Sequence, residues 1–160
     1  MIRPVLFVSR VLGSLALLAL ALLVTAEVLT RNLLGFSLLV ADEYSGYLGV
    51  AIAFFGIPFA LSEEALLRVD AFIHKIRGRR RAVLELLFNL ISLAVAGIFT
   101  WQFGRMTLRT WERGSFASTP AETPLWIPQS VMVAGSVLIV IVALWRLAGN
   151  LRDLRSGGTV

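Results

Sequence analysis

Glu27 and Arg31 are the first residues of this chain whose types and spacing suggest chemistry. They stand four positions apart at the end of a long apolar stretch, so a helix would place them one turn apart on one face. An acidic side chain in a membrane helix is a candidate for ion coupling, because it is costly in lipid and usually serves a function. A cation one turn away also permits a structural ion pair. The sequence leaves both roles of Glu27 open.

Arg105, Arg109 and Arg113 form a second candidate group, since they recur at every fourth position after an apolar stretch. If the helix continues outward, this spacing places three guanidinium groups on one face. Lipid phosphates could bind there and anchor the helix, or acidic side chains of an extracytoplasmic partner could dock there. We treat the three arginines as docking candidates and keep lipid anchoring as the alternative.

The rest of the sequence lacks the patterns of a catalytic or metal-binding site. The chain has no cysteine and a single histidine, His74, which excludes disulfides, thiol chemistry and a cluster of histidine ligands. It contains no glycine-rich phosphate loop, no Gly-x-Ser-x-Gly elbow and no His-Glu-x-x-His motif. We expect neither an enzyme nor a bound cofactor.

Apolar residues make up 58% of the 160 residues, against about 45–50% in soluble proteins. They gather in four uncharged stretches, each close to the ~20 residues with which a helix crosses a bilayer. These stretches are Val11–Ala26, Tyr44–Ser62, Leu86–Gly104 and Thr123–Trp145. The sequence therefore predicts one all-α integral membrane domain with transmembrane helices at about residues 11–30, 43–62, 82–104 and 126–145.

Tryptophans mark the edges of these predicted spans. Trp126 and Trp145 are nineteen residues apart, which is about 28 Å along a helix and close to the thickness of the hydrocarbon core. Trp101 stands near the end of the third span. We predict that all three lie in the aromatic belts of the membrane, with Trp101 at the outer interface.

The basic residues predict the orientation of the domain. Of fifteen Lys and Arg residues, eleven lie before the first span, between the second and third, or after the fourth. The positive-inside rule then places both termini and the middle loop in the cytoplasm. This placement accounts for the net charge of +5, so we expect no nucleic-acid partner.

The first span could instead be a cleaved signal peptide. Arg3 and Arg10 would form its charged region, and Val24-Thr25-Ala26 resembles a cleavage site. We favour a retained helix, because the apolar stretch is somewhat long for a signal peptide and continues through Leu29. The charge distribution fits both interpretations.

Small residues line one face of the second span. They are Gly46, Gly49, Ala53, Gly56 and Ala60. Helices in lipid associate through close van der Waals contact, which small side chains permit. We predict that this face packs against another helix, either within the chain or in a partner subunit.

Residues 63–76 differ from the spans. Their apolar residues recur at helical spacing while charged residues occupy other faces, which predicts an amphipathic helix in the membrane interface. Arg68, Asp70, Phe72 and Ile73 belong to this predicted helix. The cationic run 79–81 that follows would lie beside anionic lipid headgroups.

Three segments resemble the small membrane subunit of tripartite ATP-independent periplasmic (TRAP) transporters. In residues 31–43 the matching positions are Arg31, Ser37, Leu38, Asp42 and Glu43. In residues 60–72 they are Glu63, Arg68, Val69 and Asp70. At the entry to span four they are Pro124, Trp126, Pro128, Met132 and Gly135. Where the family usually has an aromatic residue, a tryptophan, a histidine and a proline, this chain has Asn32, Val40, Leu66 and Val133.

The resemblance implies a role as a scaffold subunit in a bacterial or archaeal cytoplasmic membrane. A large multi-span subunit would carry the solute and sodium sites, and a periplasmic solute-binding protein would deliver the solute. The small-residue face would then be a packing surface, and the 63–76 helix would brace the scaffold among the membrane lipids. The three arginines would help dock the binding protein.

A small proton-coupled multidrug antiporter is the main alternative, with Glu27 as its coupling carboxylate. Such proteins resemble this chain in having four spans, but they are shorter and hold the acid deeper in the helix. A lipid-directed enzyme would need clustered acids or histidines, whereas Asp42, Asp70 and Asp153 are scattered. A purely structural four-span protein would share almost every physical feature described above. Only the motif resemblance favours a transporter subunit over it.

Overall fold

The computed structural model describes residues 2–62 and 79–155, and this part of the chain is built from long helices. They are α1 (Arg3–Leu29), a π-helical turn (Thr30–Leu34), α2 (Ala41–Ser62), α3 (Arg79–Arg113) and α4 (Trp126–Arg155). Four helices are long and apolar enough to cross a membrane, which confirms the predicted all-α membrane class. The predicted interfacial helix at residues 63–76 lies outside the described residues.

Local chemistry explains where these helices begin and end. Proline stands in the first turn of α1, where its missing N–H removes no helical hydrogen bond. Asp42 and Glu43 occupy the first turn of α2, where the helix dipole favours negative charge. Gly35 has a φ of 72° after the π-helical turn, and Gly114 has a φ of 57° after α3. Both adopt the left-handed conformation that ends a helix and that glycine adopts without strain.

The helices extend beyond the predicted spans. α1 begins at Arg3, α4 continues to Arg155, and α3 contains 35 residues, which is about 52 Å of helix. The apolar stretches of the sequence mark only the segment of each helix that fits the hydrocarbon core of the membrane. Arginine and glutamate also favour helix, so the backbone continues through the charged flanks.

The four helices pack in the order α1, α2, α4, α3. α1 lies along α2, α2 along α4, and α4 along α3, with a smaller contact between α1 and α4. The membrane windows of α2 and α4 are accordingly 17% and 22% buried, against 6% and 11% for α1 and α3. α1 and α3 therefore direct most of their apolar surface away from the described chain.

One end of the bundle holds its apolar core. Ile2, Leu61, Val142 and Ala143 form a buried cluster, and Leu93 of α3 packs against it. At the same end the guanidinium of Arg146 donates a hydrogen bond to the Leu61 carbonyl. The cluster joins all four helices, because Val5 of α1 and Leu93 of α3 pack against its members from α2 and α4.

α2 contacts each of the other three helices in the middle of the bundle. A Cβ atom built on Gly135 of α4 would lie 2.6 Å from Cβ of Phe54 and 2.9 Å from its carbonyl oxygen, so the helices can meet here only with glycine. The Phe54 ring also lies 5.4 Å from the Phe103 ring of α3, edge to face. On the other side, the buried hydroxyl of Ser9 in α1 donates to the Phe55 carbonyl.

Candidate partner-binding surface

Glu27 holds the first loop against the end of α1. Its Oε1 accepts a hydrogen bond of 2.6 Å from the Ser37 hydroxyl, and its Oε2 accepts one of 2.7 Å from the backbone N–H of Leu38. Arg31 Nε lies 3.6 Å from Oε1. Both carboxylate oxygens are therefore engaged within the chain. This arrangement suits an acid that fixes a loop, since charge-assisted hydrogen bonds are the stronger kind.

Glu27→Ala is expected to release the loop at Ser37 and Leu38 while leaving the four helices folded. The carboxylate accepts the Leu38 N–H, and without it this amide loses its protein partner. We expect hydrogen exchange at Leu38 to become faster by roughly an order of magnitude, measured by mass spectrometry on the purified protein. Asp42→Ala, at an exposed acid in the same region, should leave that exchange unchanged. Equal exchange in wild type and Glu27→Ala would show that Glu27 does not hold the loop.

Glu43 joins the start of α2 to the second loop. It accepts a hydrogen bond from the Thr119 hydroxyl, which lies 76 positions later in the chain, and one of 2.7 Å from the Tyr47 hydroxyl. Glu27 and Glu43 thus use the same chemistry on neighbouring helices. Each carboxylate ties one connecting loop to the bundle. We call the end of the bundle that carries residues 30–40 and 114–125 the loop end.

The second loop has internal order despite its prolines. Phe116 and Pro124 form an antiparallel bridge. The Ala117 N–H donates a hydrogen bond of 2.9 Å to the Thr123 carbonyl, and the Leu125 N–H donates one of 3.1 Å to the Ser115 carbonyl. These bonds satisfy backbone groups that neither helix reaches. Together with Glu43 they hold residues 115–125 as a shaped surface at the loop end.

The three arginines of α3 share one exposed face, as their spacing predicts. Arg105, Arg109 and Arg113 line a shallow groove of about 260 Å³, together with Gln102, Met106 and Thr110. None of the three arginines forms an ion pair with another described residue. The groove therefore presents uncompensated positive charge and suits an anionic ligand.

The two tryptophans of α3, Trp101 and Trp111, lie at different heights along the helix. The Trp126 ring lies 4.7 Å from the Trp111 ring, so the start of α4 is level with Trp111. Trp101 precedes Trp111 by ten residues, or about 15 Å of helix, and its side chain is 68% exposed. The ring that contacts Trp126 is thus that of Trp111, and the position of Trp101 at the outer interface stays a prediction. Trp145, also exposed, lies toward the other end of α4.

Comparison with models of protein families gives one clear result. Residues 20–153 match the family described as tripartite ATP-independent periplasmic transporters, DctQ component. The chain belongs to this family. Comparison with curated protein sequences gives no match. The DctQ family is a transporter component, so the resemblance to the small TRAP subunit is confirmed.

Several residues that match the DctQ pattern make specific contacts in the structure. Ser37 and Leu38 are the groups that bind Glu27, and Glu43 binds the second loop. Gly135 is the point where α4 meets α2. Arg68, Asp70, Phe72 and Ile73, from the second matching segment and the predicted interfacial helix, lie outside the described residues.

The small-residue face of α2 is largely open. A Cβ atom added at Gly46, Gly49 or Gly56 would meet no atom within 4 Å, and Ala53 is exposed. Among the described residues, the space into which a side chain would extend from these glycines is therefore open. α1 still comes near the Gly56 backbone, because a Cβ atom built on Gly13 would lie 3.8 Å from the Gly56 nitrogen. α2 packs on α1 and α4 through other positions, among them Phe54 and Phe55.

Sequence reasoning considered Arg31 as a partner of Glu27 but missed the hydrogen bonds that Glu27 and Glu43 accept from the two loops. Ser37 was noticed as a motif position, but neither its bond to Glu27 nor the bond from Thr119 to Glu43 was predicted. An acid in the last turn of a span, followed ten residues later by Ser-Leu before a new helix, is a signal that could have found the first. Within residues 2–62 and 79–155, no group of three His, Cys, Asp or Glu side chains could hold a metal ion.

Proposed function

We propose that this DctQ-family protein is the small scaffold subunit of a secondary-active TRAP-type solute uptake transporter. It pairs with a large multi-span membrane subunit, which carries the solute and sodium sites, and works with a periplasmic solute-binding protein. Its membrane is the cytoplasmic membrane of a bacterium or archaeon, and its loop end faces the periplasm. The family match over residues 20–153 carries this proposal.

The small-residue face of α2 is the proposed packing surface for a partner helix. Gly46, Gly49, Ala53 and Gly56 repeat at helical spacing, and the space beside the three glycines is open. Such a face lets two backbones approach closely in lipid, where van der Waals packing drives association. Because no described residue lies within 4 Å of a Cβ atom added at the three glycines, we take a helix of a second protein as the occupant of this face.

The loop end is the proposed docking surface for the binding protein. Glu27 accepts a hydrogen bond from Leu38 in the first loop and Glu43 accepts one from Thr119 in the second, so both loops are held in shape. A preformed surface binds at a lower entropic cost than a flexible one. Arg113 is exposed beside the second loop and supplies positive charge for steering an acidic partner.

Arg113→Glu is expected to lower binding-protein-dependent uptake by several-fold while the membrane complex stays assembled. A charge at the rim of a docking surface acts mainly on the rate of association, and its effect falls with ionic strength. Uptake into vesicles that contain the complex, measured at low and high salt, gives the comparison. Unchanged uptake at low salt would show that Arg113 does not contribute to docking of the binding protein.

Copurification tests the proposed function directly. The tagged protein is extracted in mild detergent from its native host, and its bound proteins are identified by intact mass. We expect a large membrane protein in stoichiometric amount. A homodimer with nothing else attached would contradict the scaffold role and favour a proton-coupled antiporter. The engagement of both Glu27 oxygens by Arg31, Ser37 and Leu38 weighs against that alternative.

A further inference from the structure

The register between α3 and α4 determines how deep the arginines lie. Trp111 contacts Trp126, and 18 positions earlier Leu93 packs on the cluster of Val142 and Ala143. Between these contacts Phe103 meets Phe54, which itself faces Gly135 of α4. Residues 93–111 of α3 are therefore level with residues 126–143 of α4.

The other three helices are uncharged at this level. α4 has no charged residue between 126 and 143, and α2 has none between 44 and 62. α1, which lies along α2, has none between 11 and 26. In α3 the matching segment contains Arg105 and Arg109. These two arginines thus lie inside the apolar layer that the rest of the bundle defines.

Arg105 is the deeper of the two. It precedes Trp111 by six residues, which places it about 9 Å below the level of the Trp111–Trp126 pair. Both arginines are exposed, and neither pairs with an acid among the described residues. A cation on a lipid-facing surface at that depth is strongly disfavoured unless an opposite charge meets it.

A lipid phosphate suits Arg113 better than Arg105. Arg113 lies past Trp111 at the loop end and can reach the headgroup layer. Arg105 lies about 12 Å further in along the helix. Gln102, which lines the same groove, is deeper still and adds a second polar group that lipid chains would not satisfy. A carboxylate carried on a membrane helix reaches this depth, and it can bind a guanidinium through two hydrogen bonds.

We propose that the α3 groove around Arg105 and Arg109 is a contact site for the large membrane subunit, and that its ligand is an acidic side chain in the outer half of a transmembrane helix. The identity of the partner rests on the proposed function. The proposal assigns Arg105 and Arg109 to contact within the membrane, and it leaves Arg113 to the docking of the binding protein. It also gives a reason for the exposed Trp101, which lies one turn before Arg105 and would be covered by the same helix.

A photo-crosslinking amino acid at Met106, inside the groove, tests the site in the assembled complex. Native membranes are irradiated, and the products are identified by mass. We expect an adduct with the large membrane subunit. An adduct with phospholipid alone, or with the periplasmic binding protein, would overturn the proposal. The same probe at Leu18, an exposed residue of α1, is the control for background labelling of lipid.

Charge variants give the second measurement. Arg105→Glu should reduce the copurified large subunit about tenfold, because it sets two acids against each other. Arg105→Lys should retain most of the complex, and Arg113→Glu should retain all of it. Full recovery of the large subunit with Arg105→Glu would contradict the proposal. If the wild-type chain captures no large subunit, the proposed function itself fails; if it does and only lipid is labelled from Met106, this inference alone fails.

Discussion

Gly135→Leu is expected to separate α4 from α2 and to unfold the middle of the bundle. At this position even a Cβ atom would lie 2.6 Å from Cβ of Phe54, 2.9 Å from its carbonyl oxygen and 3.0 Å from its carbonyl carbon. Two of these atoms belong to the backbone, so a change of rotamer cannot make room. Overpacking of a core costs about 1–3 kcal/mol, and we expect the upper end of that range or more.

Thermal unfolding in detergent, followed by circular dichroism and by the fraction of monodisperse protein, measures the effect of Gly135→Leu. Gly149→Leu is the matched control, because Gly149 lies in the same helix and a Cβ atom there meets nothing within 4 Å. The control should unfold at nearly the wild-type temperature. A Gly135→Leu protein as stable as this control would show that α2 and α4 do not meet at Phe54.

Gly49→Leu is expected to remove the large subunit from the purified complex while leaving this chain folded. A Cβ atom at Gly49 meets no atom of the described chain within 4 Å, so we expect the cost of a side chain there to be small within the subunit. In the complex it would separate two helices that depend on close approach. We expect recovery of the large subunit to fall at least about tenfold, since loss of contact along a whole helix face exceeds the ~1.4 kcal/mol that this factor represents.

The measurement for Gly49→Leu is the ratio of the two subunits after affinity purification. Ala19→Leu is the control, because Ala19 is an exposed small residue of another span. Unfolding of the isolated small subunit is recorded for both variants, so that a loss of partner is separated from a loss of fold. A normal subunit ratio with Gly49→Leu would show that the large subunit does not pack on this face of α2.

The two acids of the loop end show how far sequence reasoning reached. The sequence predicts a second span from about residue 43, and Asp42 and Glu43 stand in the first turn of α2. The start of this span follows from where the charged residues give way to an uncharged apolar stretch, which is a local property. The bond from Thr119 to Glu43 spans 76 positions. Nothing in the neighbourhood of either residue specifies that contact, because it depends on how α2 and α4 pack.

The arginines of α3 show the same division. Their shared face followed from spacing at every fourth residue, since helical periodicity is fixed by the backbone. The depth of the arginines in the membrane could not be predicted in this way. Hydropathy locates the apolar segment of each helix separately, but it does not show how the helices are shifted along one another. Contacts between side chains distant in sequence set that relation: Trp111 with Trp126, and Leu93 with the cluster at the opposite end.

The sequence by itself determined the number of spans, the all-α membrane class and the resemblance to a transporter subunit. These depend on composition, periodicity and short motifs, which are local features of the chain. Only the tertiary structure decided that Gly135 is a crossing point, that the glycines of α2 remain open, and that Arg105 lies within the apolar layer. The physical reason is that helix packing is set by the fit of surfaces from distant parts of the chain, and no local pattern records that fit.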